Sequence, residues 1–241
     1  MIEILQWSTL ALCAVTAAAR IPSALRGQNR AVFYIFALLT VAILLSIEAP
    51  YVAIDQALGG INVANLILRY IIFAAIFFVG IRVTKGFGAA EGHRFITGRI
   101  GISVLALISA AVLVLFLMMD TAGSSAGMAA VSGKDARNGV LAELYGAAGR
   151  AYPAYASLAL LPAMVRAVRS SLPGMVRFAA FLLAAGAMAI ALTLLFPLVP
   201  PQWGTAEFII NYTAVLCFVV GLGLIWAARI RYGRTVVPAR T

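Results

Sequence analysis

NVANLILRYIIFAAIFFVGIRV, residues 62–83, runs for 22 residues with only two charges, Arg69 and Arg82. A helix needs about 20 mostly apolar residues to cross the roughly 30 Å hydrocarbon core of a bilayer. In lipid, helices and closed barrels alone satisfy their own backbone hydrogen bonds. The stretch therefore predicts a membrane-spanning helix. Runs of the same kind recur at about 2–19, 31–52, 101–119, 140–166, 177–197 and 207–228, which makes seven spans. The composition agrees: 63% of residues are hydrophobic and 11% charged, whereas soluble domains are about half apolar and a quarter charged. The reading is an all-α, seven-helix membrane bundle, with residues 1–228 as one domain and 229–241 as a short basic cytoplasmic tail.

Basic residues orient the bundle, because cytoplasmic loops collect arginine and lysine. Arg20, Arg26 and Arg30 follow the first span; Arg82, Lys85, Arg94 and Arg99 the third; Arg166, Arg169 and Arg177 the fifth; Arg229, Arg231, Arg234 and Arg240 the seventh. These are fourteen of the eighteen basic residues. The amino terminus is expected outside and the carboxyl terminus inside a bacterial plasma membrane. The first span, which precedes a VTAAAR sequence like a cleavage site, is expected to stay: it carries Glu3 and no basic residue ahead of its apolar run. Trp7 and Trp203 fall at the outer interface and Trp226 at the inner one.

The net charge of +10 suits membrane topology and acidic lipid better than nucleic acid, since the basic residues are spread over separate loops without a stacking platform. Several chemistries lack their side chains. The single histidine, His93, falls in a loop, which excludes paired haem ligands, a histidine zinc site and a Ser-His dyad within the bilayer. Lys85 and Lys134, the two lysines, are both in loops, so no retinal Schiff base forms in the seventh span. Asp55, Asp120 and Asp135 are placed in or beside outer loops, which leaves no intramembrane aspartyl pair. No phosphate-binding GxxxxGK[ST] loop is present. Cys13 and Cys217 lie within spans as packing residues. No enzymatic activity, cofactor or metal is expected.

Ionisable residues inside spans are costly and point to function by default. Glu48, Arg69, Glu143 and Arg150 are such residues. At about 1.5 Å per residue they lie roughly 6, 10, 5 and 15 Å below the outer ends of their spans. Asn62, Asn65 and Arg69 share one stripe at i, i+3, i+7, as do Glu143, Gly146 and Arg150; Glu207 and Asn211 make a shorter one. These stripes predict an outer-leaflet polar layer. Gly146 and Gly149 would admit a close neighbour, and Pro153 and Pro162 would free two carbonyls of a kinked, cavity-lining fifth helix. Tyr145, Tyr152 and Tyr155 add hydroxyls. Glu48, Asn65, Arg69, Glu143, Arg150, Tyr152 and Asn211 are the candidate ligand-binding residues. Against this stands a structural reading, in which two acids and two arginines form ion pairs that hold the helices in register. The segment 121–139 has the composition of a flexible connector.

From EAPYV through Asp55 to NVANLILRY, an acidic turn followed by an asparagine-rich helix start, the chain resembles a family of actinobacterial seven-helix integral membrane proteins labelled as transporters. The resemblance implies a transporter; in the first function class the chain is a small-solute transporter or permease component, binding a polar or zwitterionic solute between Arg69, Arg150, Glu48 and Glu143 near the outer face. Members often continue into a cytoplasmic segment after the last helix, whereas this sequence ends about a dozen residues on. The other function class is therefore a membrane sensor or assembly subunit that acts through a separate cytoplasmic partner. Membrane lipid, a solute, and a cytoplasmic protein or second copy of the chain are the expected partners, and nucleic acid is not.

Overall fold

A computed structural model of the chain describes residues 2–27, 30–198 and 204–232. Trp203, the tail from 233 and the side chains of Glu207 and Arg229 lie outside the described residues. The described backbone is helical, with no strand among those residues. Its α-helices are α1 (Ile2–Leu25), α2 (Arg30–Leu44), α3 (Glu48–Ala57), α4 (Val63–Gly86), α5 (Ala90–Thr97), α6 (Arg99–Met118), α7 (Ala129–Ser132), α8 (Ala136–Val168), α9 (Gly174–Leu192) and α10 (Gly204–Tyr232).

Among the described residues, five stretches are long and apolar enough to cross a membrane: Glu3–Leu25, Val63–Gly86, Ala90–Met118, Gly174–Phe196 and Ile209–Ala228. Their outward residues are those lipid would wet, with Leu107 and Leu117 each 72% exposed. The helices are those of an integral membrane protein. α2 and α3, which meet at a bend of 93°, are together long and apolar enough for a sixth, broken span. The sequence pattern gave one helix over 31–52, whereas the structure divides it and sets Pro50 in the first turn of the second piece. Within a continuous helix its ring would clash with the Ser46 carbonyl and leave it unbonded; in the first turn of a new helix neither cost arises. The chain turns at Ile47, which is extended at φ −94°, ψ 128°, and restarts at Glu48.

α8 is 33 residues long, about 50 Å at the helical rise, and continues through both Pro153 and Pro162. It is long enough to span, but it is the least apolar of the long helices. The span expected at 101–119 begins earlier, since α5 leads into α6 across Gly98. At Gly98 and Gly101 any Cβ would overlap the Arg94 and Phe95 carbonyl oxygens, so only glycine fits. His93 therefore sits in a helix, half-buried, with its Nδ1 3.2 Å from Thr84 Oγ1.

The chain packs as two compact units, one of residues 1–78 with 103–152, the other of residues 79–102 with 153 onward. In the first, α1 lies along α2, and Ile35, Phe36, Tyr51, Phe73, Val112 and Tyr145 are among its buried residues. In the second, α9 lies along α10. Their approach is close because Gly186 faces the Ala214 carbonyl and Gly221 faces Leu183, leaving no room for larger side chains.

Candidate functional site

The first unit carries a polar layer built from the turn between α3 and α4. Gly59 and Gly60, both at positive φ, reverse the chain, and Asn62 follows in the left-handed region at φ 58°. That conformation turns the Asn62 side chain away from α4, so it does not cap the helix it precedes. Asp55 does so instead: its Oδ2 accepts from Asn62 N at 2.9 Å and its Oδ1 from Ala64 N at 3.0 Å. A carboxylate at the positive end of a helix is stabilised, and in lipid the two N–H groups need a partner. Ser124 Oγ donates a third bond to Asp55, at 2.6 Å.

Asn62 uses its whole hydrogen-bonding capacity. Its Nδ2 donates to the Thr121 and Gly123 carbonyls at 2.9 and 2.8 Å, and its Oδ1 accepts from Tyr51 Oη at 2.7 Å and Ser125 N at 3.1 Å. Gly123 N donates to the Gly60 carbonyl, and Ala126 N lies 3.2 Å from a Glu48 carboxylate oxygen. The segment expected to be a flexible connector is thus fastened to the α3–α4 turn, and Met128 and Val131 within it are buried. At its edge Lys134 pairs with Asp120 at 2.9 Å. The Lys134 ammonium, hydrogen-bonded to the Asp120 carboxyl, holds it below the usual carboxylate range. The contact persists above that lowered value and is lost as pH falls through it. Tyr51→Phe removes one bond from the saturated Asn62 and is expected to cost about 1–2 kcal/mol, read as a lower unfolding midpoint in detergent.

Deeper along α4, Arg69 lays its guanidinium over the Tyr145 ring, 5.4 Å from the centroid. Tyr145 is buried, and its hydroxyl donates to Asn65 Oδ1 at 3.0 Å. The arginine rests against Gly149 of α8, where a Cβ would stand 2.8–2.9 Å from its Nη1, Cδ and Cζ. Arg69 Nε is buried with no hydrogen-bond partner among the described residues. No carboxylate lies within 4.0 Å of its guanidinium among those residues either. A cation within a span, half-desolvated, is left facing no counter-ion among the described residues.

The chain matches no known protein family, no curated protein and no solved structure.

The candidate residues therefore divide by their geometry alone. Arg69 and Asn65 are brought together through Tyr145. Arg150 lies close by on α8, with its Nη1 3.5 Å from where a Gly146 Cβ would be. Gly146 and Gly149 are neighbours on one helix face, so both guanidiniums stand on the same face of α8. Tyr152 is fully buried, edge-on to Phe73 at 5.4 Å. Glu48 and Glu143 are both exposed, and neither pairs with Arg69, so the expected charge pairing does not occur at that residue. Asn211 is exposed on α10 of the second unit.

Sequence reasoning missed Asp55 as a buried residue and, with it, Tyr51, Ser124 and Ser125. Asp55 is 0% exposed, although the sequence reading set it in or beside an outer loop. The usable signal was Gly59–Gly60, a turn tight enough to return an acid seven residues upstream onto the N-terminus of the next helix.

Proposed function

We propose that the chain is a small-solute transporter or permease component of the bacterial plasma membrane, without enzymatic activity, and that Arg69 receives an anionic group of the solute. The single observation that carries this reading is the Arg69 guanidinium, within a span, with no carboxylate in reach and a desolvated Nε that bonds nothing among the described residues. A charge within a span is costly without a counter-ion, and a carboxylate or phosphate offers a fork-shaped match to a guanidinium. Asn65 and Tyr145 beside it supply polar groups suited to the rest of a polar or zwitterionic molecule. In this reading α8 is the seventh span, the amino terminus lies outside, and the polarity of α8 follows from lining the solute path.

Gly149→Ala tests the reading without attacking the charge itself. The new Cβ would displace the flexible end of Arg69 from Tyr145, while alanine within a helix is favoured over glycine by about 0.5–1 kcal/mol. The variant is expected to match or exceed the wild-type unfolding midpoint and to bind solute about tenfold more weakly, the effect of about 1.4 kcal/mol. The experiment is a thermal-shift panel of anionic, zwitterionic, neutral and cationic solutes on both purified proteins. Stabilisation by anionic or zwitterionic members, weakened in the variant, supports the proposal; a panel that stabilises neither protein counts against it.

A further inference from the structure

The second unit holds a cavity of about 360 Å³ at the end of the helices where the arginines gather. Its walls come from the last turns of α4 and α8, the start of α9 and the later part of α10, with Arg82, Gly86, Phe87, Arg166, Leu172 and Leu222 among the residues that line it. Most of this lining is apolar, and the polar exceptions include two guanidiniums and Ser170. Arg166 is exposed and makes no hydrogen bond or ion pair with any described residue. Lys85, Arg169 and Arg177 lie within a few residues of the lining segments. Among the described residues, no acidic side chain lines the cavity.

We infer that this cavity is a binding site for an anionic phospholipid, with the phosphodiester held by Arg166 and Arg82 and the first methylenes of the acyl chains against Phe87, Leu172 and Leu222. Charge complementarity selects the headgroup, since arginine binds phosphate through a planar fork and basic pockets between membrane helices take acidic headgroups. The apolar walls select a lipid over a soluble phosphate, which would gain nothing from burying those side chains. The volume falls within the usual range of small-molecule sites and suits a glycerophosphate group whose chains extend into the bilayer. By the distribution of positive charge this end faces the cytoplasm, where acidic lipid supplies the ligand.

Two variants separate the pocket from a merely positive surface. Arg166→Gln removes one phosphate donor and is expected to weaken binding about fivefold, in line with roughly 1 kcal/mol per basic side chain. Gly86→Leu fills the cavity: a Cβ at Gly86 meets nothing within 4 Å, so the backbone tolerates it, and binding should fall further. The full chain, delipidated in detergent, is titrated with phosphatidylglycerol, with phosphatidylcholine of the same acyl chains, and with inorganic phosphate, and bound lipid is read by native mass spectrometry and by thermal shift. The expected result is retention and stabilisation by phosphatidylglycerol alone, reduced in both variants. Equal binding of phosphatidylcholine, equal stabilisation by free phosphate, or phosphatidylglycerol binding unchanged in Gly86→Leu would each overturn the inference. If Arg166→Gln fails to fold, Gly86→Leu decides it.

Discussion

Asp55→Ala is expected to lower the unfolding midpoint of the purified protein by roughly 10 °C. The buried carboxylate receives three hydrogen bonds, from Asn62 N, Ala64 N and Ser124 Oγ. Its removal strands two backbone donors at the start of α4 and frees the segment that Ser124 anchors. A donor left buried and unsatisfied costs about 1–3 kcal/mol, which over these groups comes to about 3–5 kcal/mol. For a chain of this length each kcal/mol moves the midpoint by roughly 2–4 °C. Asp55→Asn keeps the shape and one acceptor oxygen, so its loss should be about half as large. Differential scanning fluorimetry in detergent reads both, and a change below about 3 °C for the alanine variant would show that the turn between α3 and α4 is held by other means.

Arg69→Ala is expected to do the reverse, abolishing solute binding while sparing the fold. Loss of a charge-assisted, forked contact should weaken binding about a hundredfold or more. Arg69→Lys keeps the charge without the fork, and about a tenfold loss is expected for it. The stability readout separates this from a structural role. A charge that holds helices together through ion pairs costs stability when removed, but among the described residues Arg69 has no carboxylate within ion-pair distance. Its replacement therefore removes a desolvated cation and should leave the unfolding midpoint unchanged or raised. A midpoint lowered by several degrees, with solute binding intact, would assign Arg69 to the scaffold.

The two variants also mark what the amino-acid sequence made legible. Apolar runs long enough to span exposed α4, α6, α9 and α10, because lipid leaves little choice of composition. The break between α2 and α3 was hidden: Leu45, Ser46 and Ile47 keep the run apolar, and composition does not register that Pro50 lacks an N–H. Arg69, Asn65 and the glycines of α8 could be placed on faces by helical spacing. Their partners could not. Two acids and two arginines at similar depth suggested pairing, yet no carboxylate of the described residues lies within 4.0 Å of Arg69, and depth along a helix says nothing of the direction a side chain takes around it. Asp55 was beyond reach for a different reason, since Ser124 lies 69 residues away in sequence and only the folded turn joins them.

The central claim is that Arg69 recognises an anionic group, and matched solute pairs test it most directly. Equilibrium binding to the purified wild-type chain and to Arg69→Ala would be measured for a carboxylate solute and its methyl ester, which share size and apolar surface and differ in charge. The wild-type protein is expected to bind the carboxylate at least tenfold tighter than the ester, and Arg69→Ala to bind both equally weakly. Equal binding of acid and ester by the wild-type protein, or a preference for the acid that survives in Arg69→Ala, would contradict it.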